Sequence, residues 1–309
     1  MLNLVTSEPQ KPPTARGESA TTRDLTFLLK AARPGFWPTS IWFYLLPLSQ
    51  KGYLFQTGRF WLGLFFMGFP FGLLIYGWND IMDADLDREN ARKDTFLFGA
   101  RGTRDQLRKL PWAISLVHLI FAGIFVWLDG VQMLAWYAAL VGATALYNLP
   151  RVGFNRYPGV DMLNQLAYLL VFWLSSALNH VPQLPWATFV FGGLFAMHSH
   201  LLGEIMDVEL DRRGGRRTTA VVIGVVPAKC LMMALLTLES WLILHYFHDL
   251  IIGGFLLLGA LWFSFDAFVL FKDRLYPLPL TRLLLTGWNI VACASAWWVW
   301  STGAFSRPQ

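Results

Sequence analysis

Apolar runs at about residues 35–51, 60–79, 111–129, 131–147, 161–180, 186–205, 219–247, 250–271 and 283–303 occupy most of this chain. Each is long enough to cross the roughly 30 Å of hydrocarbon in a bilayer as a helix. Nine such runs predict an all-α polytopic membrane protein, with nine transmembrane helices packed around a central cavity. Composition agrees: 55% of the 309 residues are hydrophobic and 15% charged, far more apolar surface than a soluble core of this size can hide. Cys230 and Cys293 both fall inside apolar runs and have no second pair with which to build a metal site or a disulfide framework, so they carry no functional weight.

Residues 1–24 are rich in Ser, Thr, Pro and charge and lack the apolar stretch of a signal peptide. They are expected to form a disordered cytoplasmic tail ahead of a transmembrane domain over residues 25–309. Nine crossings place the two termini on opposite sides. On that assignment all but four of the 25 Lys and Arg residues fall on the side of the N-terminus; Lys51, Arg59 and Arg307 lie opposite and Lys229 lies within a run. The positive-inside rule then makes the N-terminus cytoplasmic. Membrane lipids are expected partners, since Arg101, Arg104, Arg108 and Lys109 suit anionic headgroups, and no nucleic-acid partner is expected.

A short phrase recurs on that same face. Ile81 to Arg88 and Ile205 to Arg212 both read Ile-Met-Asp-x-acidic-Leu-Asp-Arg, each at the polar end of an apolar run. Asp80, Asp83 and Asp87 are spaced by three and four residues, as are Glu204, Asp207 and Asp211, which places each set on one face of a helix. Three converging carboxylates repel one another unless a cation joins them, so each set is expected to hold a hard divalent ion. Mg²⁺ suits the role, because it takes a few carboxylates, keeps several waters and bridges to phosphate oxygens. A lone acidic helix end is ordinarily a solvated cap or a partner for a nearby Arg; recurrence on one face favours a metal and diphosphate role. An EF-hand reading of Asp83 to Asp94 fails, because Arg88 stands where the turn glycine belongs and Asp94 where the closing Glu belongs.

Asn79-Asp80-x-x-Asp83-x-x-x-Asp87 and Glu204-x-x-Asp207-x-x-x-Asp211 resemble the paired aspartate-rich motifs of the UbiA superfamily of intramembrane prenyltransferases. Tyr147-x-x-x-Arg151 resembles that family's Tyr-x-x-x-Lys motif. The likeness covers nearly the whole chain after the tail, with two departures. Glu204 replaces an aspartate and lengthens the reach, and Arg151 replaces a lysine with a planar fork suited to two phosphate oxygens. Within the superfamily, Asn90-Ala91-Arg92-Lys93, Tyr157-Pro158-Gly159-Val160-Asp161, Met197-His198 and Gly215 to Ala220 are similar to members of the lycopene elongase type, which prenylate carotenoids. The Asn-Arg-Pro-Leu phrase of quinone-pathway members is absent, with Asp94-Thr95-Phe96-Leu97 in its place.

The resemblance implies transfer of a prenyl group from an allylic polyprenyl diphosphate to a hydrophobic acceptor: a carotenoid, a quinone precursor or another aromatic compound. Mg²⁺ on Asp80, Asp83, Asp87, Glu204, Asp207 and Asp211 assists ionisation, with Arg92, Lys93 and Arg151 on the diphosphate. Asn79 and Tyr147 are expected to bind substrate, Tyr147 through its hydroxyl. His198 and its neighbour His200 read either as metal-shell or acceptor-side substrate groups or as interior hydrogen-bonded histidines. Asp161 reads either as an acceptor contact or as a helix cap. Trp297, Trp298 and Trp300 read as belt or packing residues, and Asp266, a carboxylate inside a run, has no partner assignable from sequence. Two other functions fit part of the pattern. A terpene cyclase would ionise the same diphosphate and quench the cation internally, and a transporter would use the carboxylates without releasing diphosphate.

Overall fold

The computed structural model describes residues 19–88, 90–150 and 152–306. Helix α1, Ala20–Ala31, begins inside the stretch expected to be tail, and residues 1–18 lie outside the described residues. There follow α2 (Trp37–Leu45), α3 (Gly58–Met82), α4 (Ala84–Asp87), α5 (Arg104–Asp129), α6 (Gln132–Asn148), α7 (Val160–Leu163), α8 (Leu170–Asn179), α9 (Trp186–Arg213), α10 (Thr219–Ile223), α11 (Val225–Phe247), α12 (Leu250–Phe268) and α13 (Leu278–Thr302).

Among the described residues, six of these helices, α3, α5, α9, α11, α12 and α13, are long and apolar enough to cross a membrane unaided. The other three expected spans are shorter or broken. Pro38 opens α2, and a 3-10 turn containing Pro47 ends it, because proline lacks the amide hydrogen that a continuing helix needs. Helix α6 is 17 residues long, and the run at 161–180 is split into α7, a 3-10 stretch over Asn164–Leu169, and α8.

Helix α3 carries the first acidic motif, and its path is irregular for local reasons. Pro70 removes one amide donor, and a π-turn follows at Leu73–Gly77. His118 of α5 places Nε2 2.9 Å from the Pro70 carbonyl, tying α5 to this point. Gly72 passes beneath the end of α1 so closely that a Cβ would lie 2.2 Å from the Ala32 carbonyl oxygen. Only glycine allows that approach.

Polar side chains gather at the two ends of the bundle. At one end Arg59 donates to Asp129 Oδ1 at 2.7 Å and to the carbonyls of Leu128 and Leu178 at 3.1 and 3.3 Å, while Gln50 donates to the Thr302 carbonyl at 3.0 Å. At the opposite end the loops after α3 and α9 meet. Outward-facing Trp112, Leu119, Trp127, Leu258 and Trp297 are exposed, an apolar surface that water would not tolerate but lipid does. The chain is an integral membrane protein. Trp298 donates to Asp249 at 2.8 Å and Trp300 stacks on Phe55, as expected of packing residues. Asp266 finds its partner in Lys229, 2.9 Å away and equally buried, with the amide of Phe271 and the hydroxyl of Tyr276 beside it.

Candidate active site

The two acidic motifs end their helices differently. Glu204, Asp207 and Asp211 lie on the unbroken α9, and all three line one cavity, as their spacing predicts. The first motif is not carried on one continuous helix. Asp83, at φ −100° and ψ 7°, separates α3 from α4; Asp83 and Asp87 line the cavity and Asp80 does not. Asp80 is 2% exposed. It accepts from Arg33 at 2.6 Å, from Lys93 at 2.5 Å and from the Ala100 amide at 3.2 Å, and so folds the loop after α4 back onto the end of α1.

Basic side chains lie between the remaining carboxylates. Lys93 reaches Asp87 at 2.7 Å as well as Asp80. Arg92 pairs with Asp207, and Arg216 pairs with Asp83 and, at 3.2 Å, with Asp211. His200 stands 3.0 Å from Glu204 Oε1 and 3.4 Å from the Tyr147 hydroxyl. The Ala220 amide donates to Glu204 Oε2 at 3.0 Å. Burial pushes the Asp87 carboxyl up against the downward pull of Lys93, and it pushes the Arg216 guanidinium down to about 10, still charged at neutral pH.

The cavity has a volume of about 320 Å³. Its polar end is lined by Asn79, the five cavity carboxylates, Arg33, Arg92, Lys93, Arg216, Tyr147 and His200; its other walls include Phe36, Phe43, Phe71, Tyr76, Tyr168 and Trp288. Tyr168 lies 5.5 Å from Phe43 and 5.7 Å from Phe71, ring to ring, and its hydroxyl is 3.2 Å from that of Tyr76. A ligand with an anionic head and an unsaturated apolar tail matches this polarity gradient.

Other expected site residues fall elsewhere. Arg151 lies outside the described residues. Asp161 is fully buried and does not line the cavity. It accepts from the Thr219 amide and hydroxyl, both at 2.6 Å, and from the Met162 amide of its own helix at 2.8 Å, and so ties the start of α10 to the start of α7. His198 faces away from the cavity, with Nδ1 2.6 Å from Glu239 of α11. Sequence reasoning missed Arg33, Arg216 and Trp288. Each owes its place at the cavity to a fold that no local pattern announces.

Among the described residues, no three His, Cys, Asp or Glu side chains close into a metal cage. The donor set still fits a hard cation that keeps waters and shares itself with phosphate, because it consists of carboxylate oxygens and the Asn79 amide around open volume. Glu204 Oε1, Asp87 Oδ2 and Asp207 Oδ1 are buried beside His200, Lys93 and Arg92 but have no aligned hydrogen bond, so they keep lone pairs to offer.

Residues 36–275 match the model of the UbiA prenyltransferase family. A lycopene elongase/hydratase of Haloarcula japonica is 30% identical over 204 residues, covering 65% of this chain and 68% of the relative. One from Corynebacterium glutamicum is 27% identical, covering 71% of this chain and 77% of the relative. Among solved structures, a UbiA homolog from Archaeoglobus fulgidus bound to DMAPP and Mg²⁺ superposes with a TM-score of 0.64 at 17% identity, covering 89% of this chain and 99% of that one. The same homolog bound to GPP and Mg²⁺ gives 0.63 at 16% identity, covering 88% and 99%. At these identities the superpositions speak for the fold. Together with the matched family model and the 30% identical relative, they make this chain a member of the UbiA prenyltransferase family.

Proposed function

We propose that this protein transfers a prenyl group from a short allylic diphosphate to a carotenoid-like polyene, with Mg²⁺ as cofactor. One observation carries the reading: a single cavity joins two carboxylate motifs and four cations at one end to a set of aromatic rings at the other. A diphosphate requires the first and an allylic tail the second. The relatives named lycopene elongase/hydratase support the acceptor class, and the neighbours bound to DMAPP and GPP support a short donor.

Asn79, Asp83 and Asp87 from one motif and Glu204, Asp207 and Asp211 from the other would hold Mg²⁺. When bound, the ion neutralises the departing diphosphate and lowers the cost of breaking the allylic C–O bond. Lys93, Arg92 and Arg151 orient the diphosphate as it leaves, and the Tyr147 hydroxyl, held near His200, supplies one more donor. The faces of Tyr76, Tyr168 and Phe71 stabilise the allylic cation and keep water from it. The π-electrons of the acceptor's terminal double bond then form the new C–C bond. The cation left on the acceptor is quenched by loss of a proton or by capture of water, the proton leaving to the released diphosphate or to solvent.

Basic residues concentrate at the end that carries the site, so the positive-inside rule puts that end and the N-terminus in the cytoplasm. The direct test is to incubate membranes containing the protein with dimethylallyl or geranyl diphosphate and lycopene, followed by mass spectrometry of the pigments. Adducts heavier by whole prenyl units support the reading. A hydrocarbon or alcohol formed from the diphosphate alone would make the protein a cyclase instead, and no diphosphate release under any condition would favour a carrier.

A further inference from the structure

The two acidic motifs share more than their carboxylates. Arg92 stands five residues after Asp87, and Arg216 stands five residues after Asp211, so each arginine occupies the same register in its own half. Each reaches across to the other half. Arg92 pairs with Asp207, the central acid of the second motif, and Arg216 pairs with Asp83, the central acid of the first. The crossing is thus reciprocal, and the same offset produces it from both sides.

We infer that Arg92 and Arg216 form a reciprocal clasp that joins the two motifs before ligand binds, and that each exchanges its carboxylate for a diphosphate oxygen when metal and donor load. This rests on the metal-diphosphate reading of the site. Five carboxylates face the cavity, and without a cation between them the two motifs would repel each other. The arginines supply that charge from within the chain. Arg216 is further held to its own half, because its amide donates to the Asp211 carbonyl at 2.8 Å and its Nη1 to the Asp211 carboxylate at 3.2 Å. Arg92 lies against the Phe98 ring at 5.4 Å, a contact that holds its guanidinium at the cavity wall. Both line the cavity, with side chains 13% and 16% exposed.

A divalent ion binding Asp83 and Asp207 competes with both guanidinium groups for the carboxylate charge, and in the clasp it displaces them. The displaced forks then face the phosphate oxygens that accompany the ion, a geometry guanidinium satisfies with two parallel hydrogen bonds. Metal and arginine therefore compete for carboxylate in the ligand-free protein and cooperate once diphosphate is present. That reversal of sign separates a clasp from a plain structural ion pair.

The experiment uses the full chain in lipid nanodiscs, with Mn²⁺ as the metal and inorganic diphosphate as the anion. Free Mn²⁺ is counted by electron paramagnetic resonance. Arg216→Gln and Arg92→Gln are each expected to bind Mn²⁺ alone several-fold more tightly than the unaltered protein, and to bind diphosphate at saturating Mn²⁺ about tenfold more weakly. Arg216→Lys, which keeps the charge but not the fork, tests the same point where the glutamine variant does not fold, and is expected to fall between. Unchanged or weaker Mn²⁺ binding in the variants, with the unaltered protein still binding Mn²⁺ and diphosphate together, overturns the clasp and leaves the site reading standing. Failure of the unaltered protein to bind the pair at all overturns both.

Discussion

The first and second acidic motifs are nearly the same in sequence and differ in what their leading acid does. Asp80 is surrounded by Arg33, Lys93 and the Ala100 amide and is shut off from the cavity. Glu204, in the equivalent place, accepts the Ala220 amide with one oxygen and turns the other toward His200 and the cavity. The first motif is interrupted at Asp83, whereas the unbroken α9 sets all three of its acids along the cavity. A carboxylate takes part in ligand binding when it borders open volume, whatever motif it belongs to; one saturated with donors holds the fold instead.

The comparison is most sharply tested at the central acids, which both halves direct to the cavity. Asp83→Ala and Asp207→Ala should each lower kcat/KM for diphosphate release by about 10²- to 10³-fold, the range for losing one preorganised charge-stabilising contact. A loss confined to one of them would mean that the halves do not share a ligand. Next come the leading acids. Asp80→Asn leaves Arg33 and Lys93 buried without their shared counter-charge and should cost about 3–5 kcal/mol of stability, read by unfolding in detergent. Glu204→Gln should lose activity while keeping most of its stability, because the amide oxygen still accepts from Ala220. Equal destabilisation by the two would erase the distinction drawn here.

Smaller effects are expected away from the charges. Phe71→Ala should deepen the cavity beside Tyr168 and shift the ratio of kcat/KM values toward the longer donor by about tenfold or more, measured with geranyl against dimethylallyl diphosphate. Arg59→Gln, at the far end of the bundle, removes donors from Asp129 and from the Leu128 and Leu178 carbonyls. It should leave kcat/KM within about twofold, as expected of a site sharing no partner with the cavity.

Much of this was legible from sequence because it is written in periodicity and repetition. Long apolar runs announce a membrane protein, and a recurring phrase at the polar ends of two runs announces a shared site. Three of the nine expected runs could be marked but not seen to be short or broken, since proline placement and the 3-10 stretch at Asn164–Leu169 do not alter hydropathy. Spacing groups Asp80 with Asp83 and Asp87 but does not show the donors that surround it. Its contacts come from Arg33 and Ala100, far apart along the chain. Asp161 was open between two roles, and the structure favours capping, at its own helix start and at one 58 residues later. Arg216 was passed over as one basic loop residue among several. Its equal offset with Arg92 was present in the sequence all along, but an offset acquires meaning only once the two loops are known to meet.

The two motifs form one site only if both grip the same ligand. Binding of radiolabelled inorganic diphosphate to the purified protein with Mn²⁺ can be measured for the unaltered chain, Asp83→Asn, Asp207→Asn and the double variant. Two motifs sharing one ion-diphosphate complex predict that either single change removes most metal-dependent binding and that the double variant loses little more. Full binding retained by either single variant, or losses that simply multiply in the double variant, would contradict it.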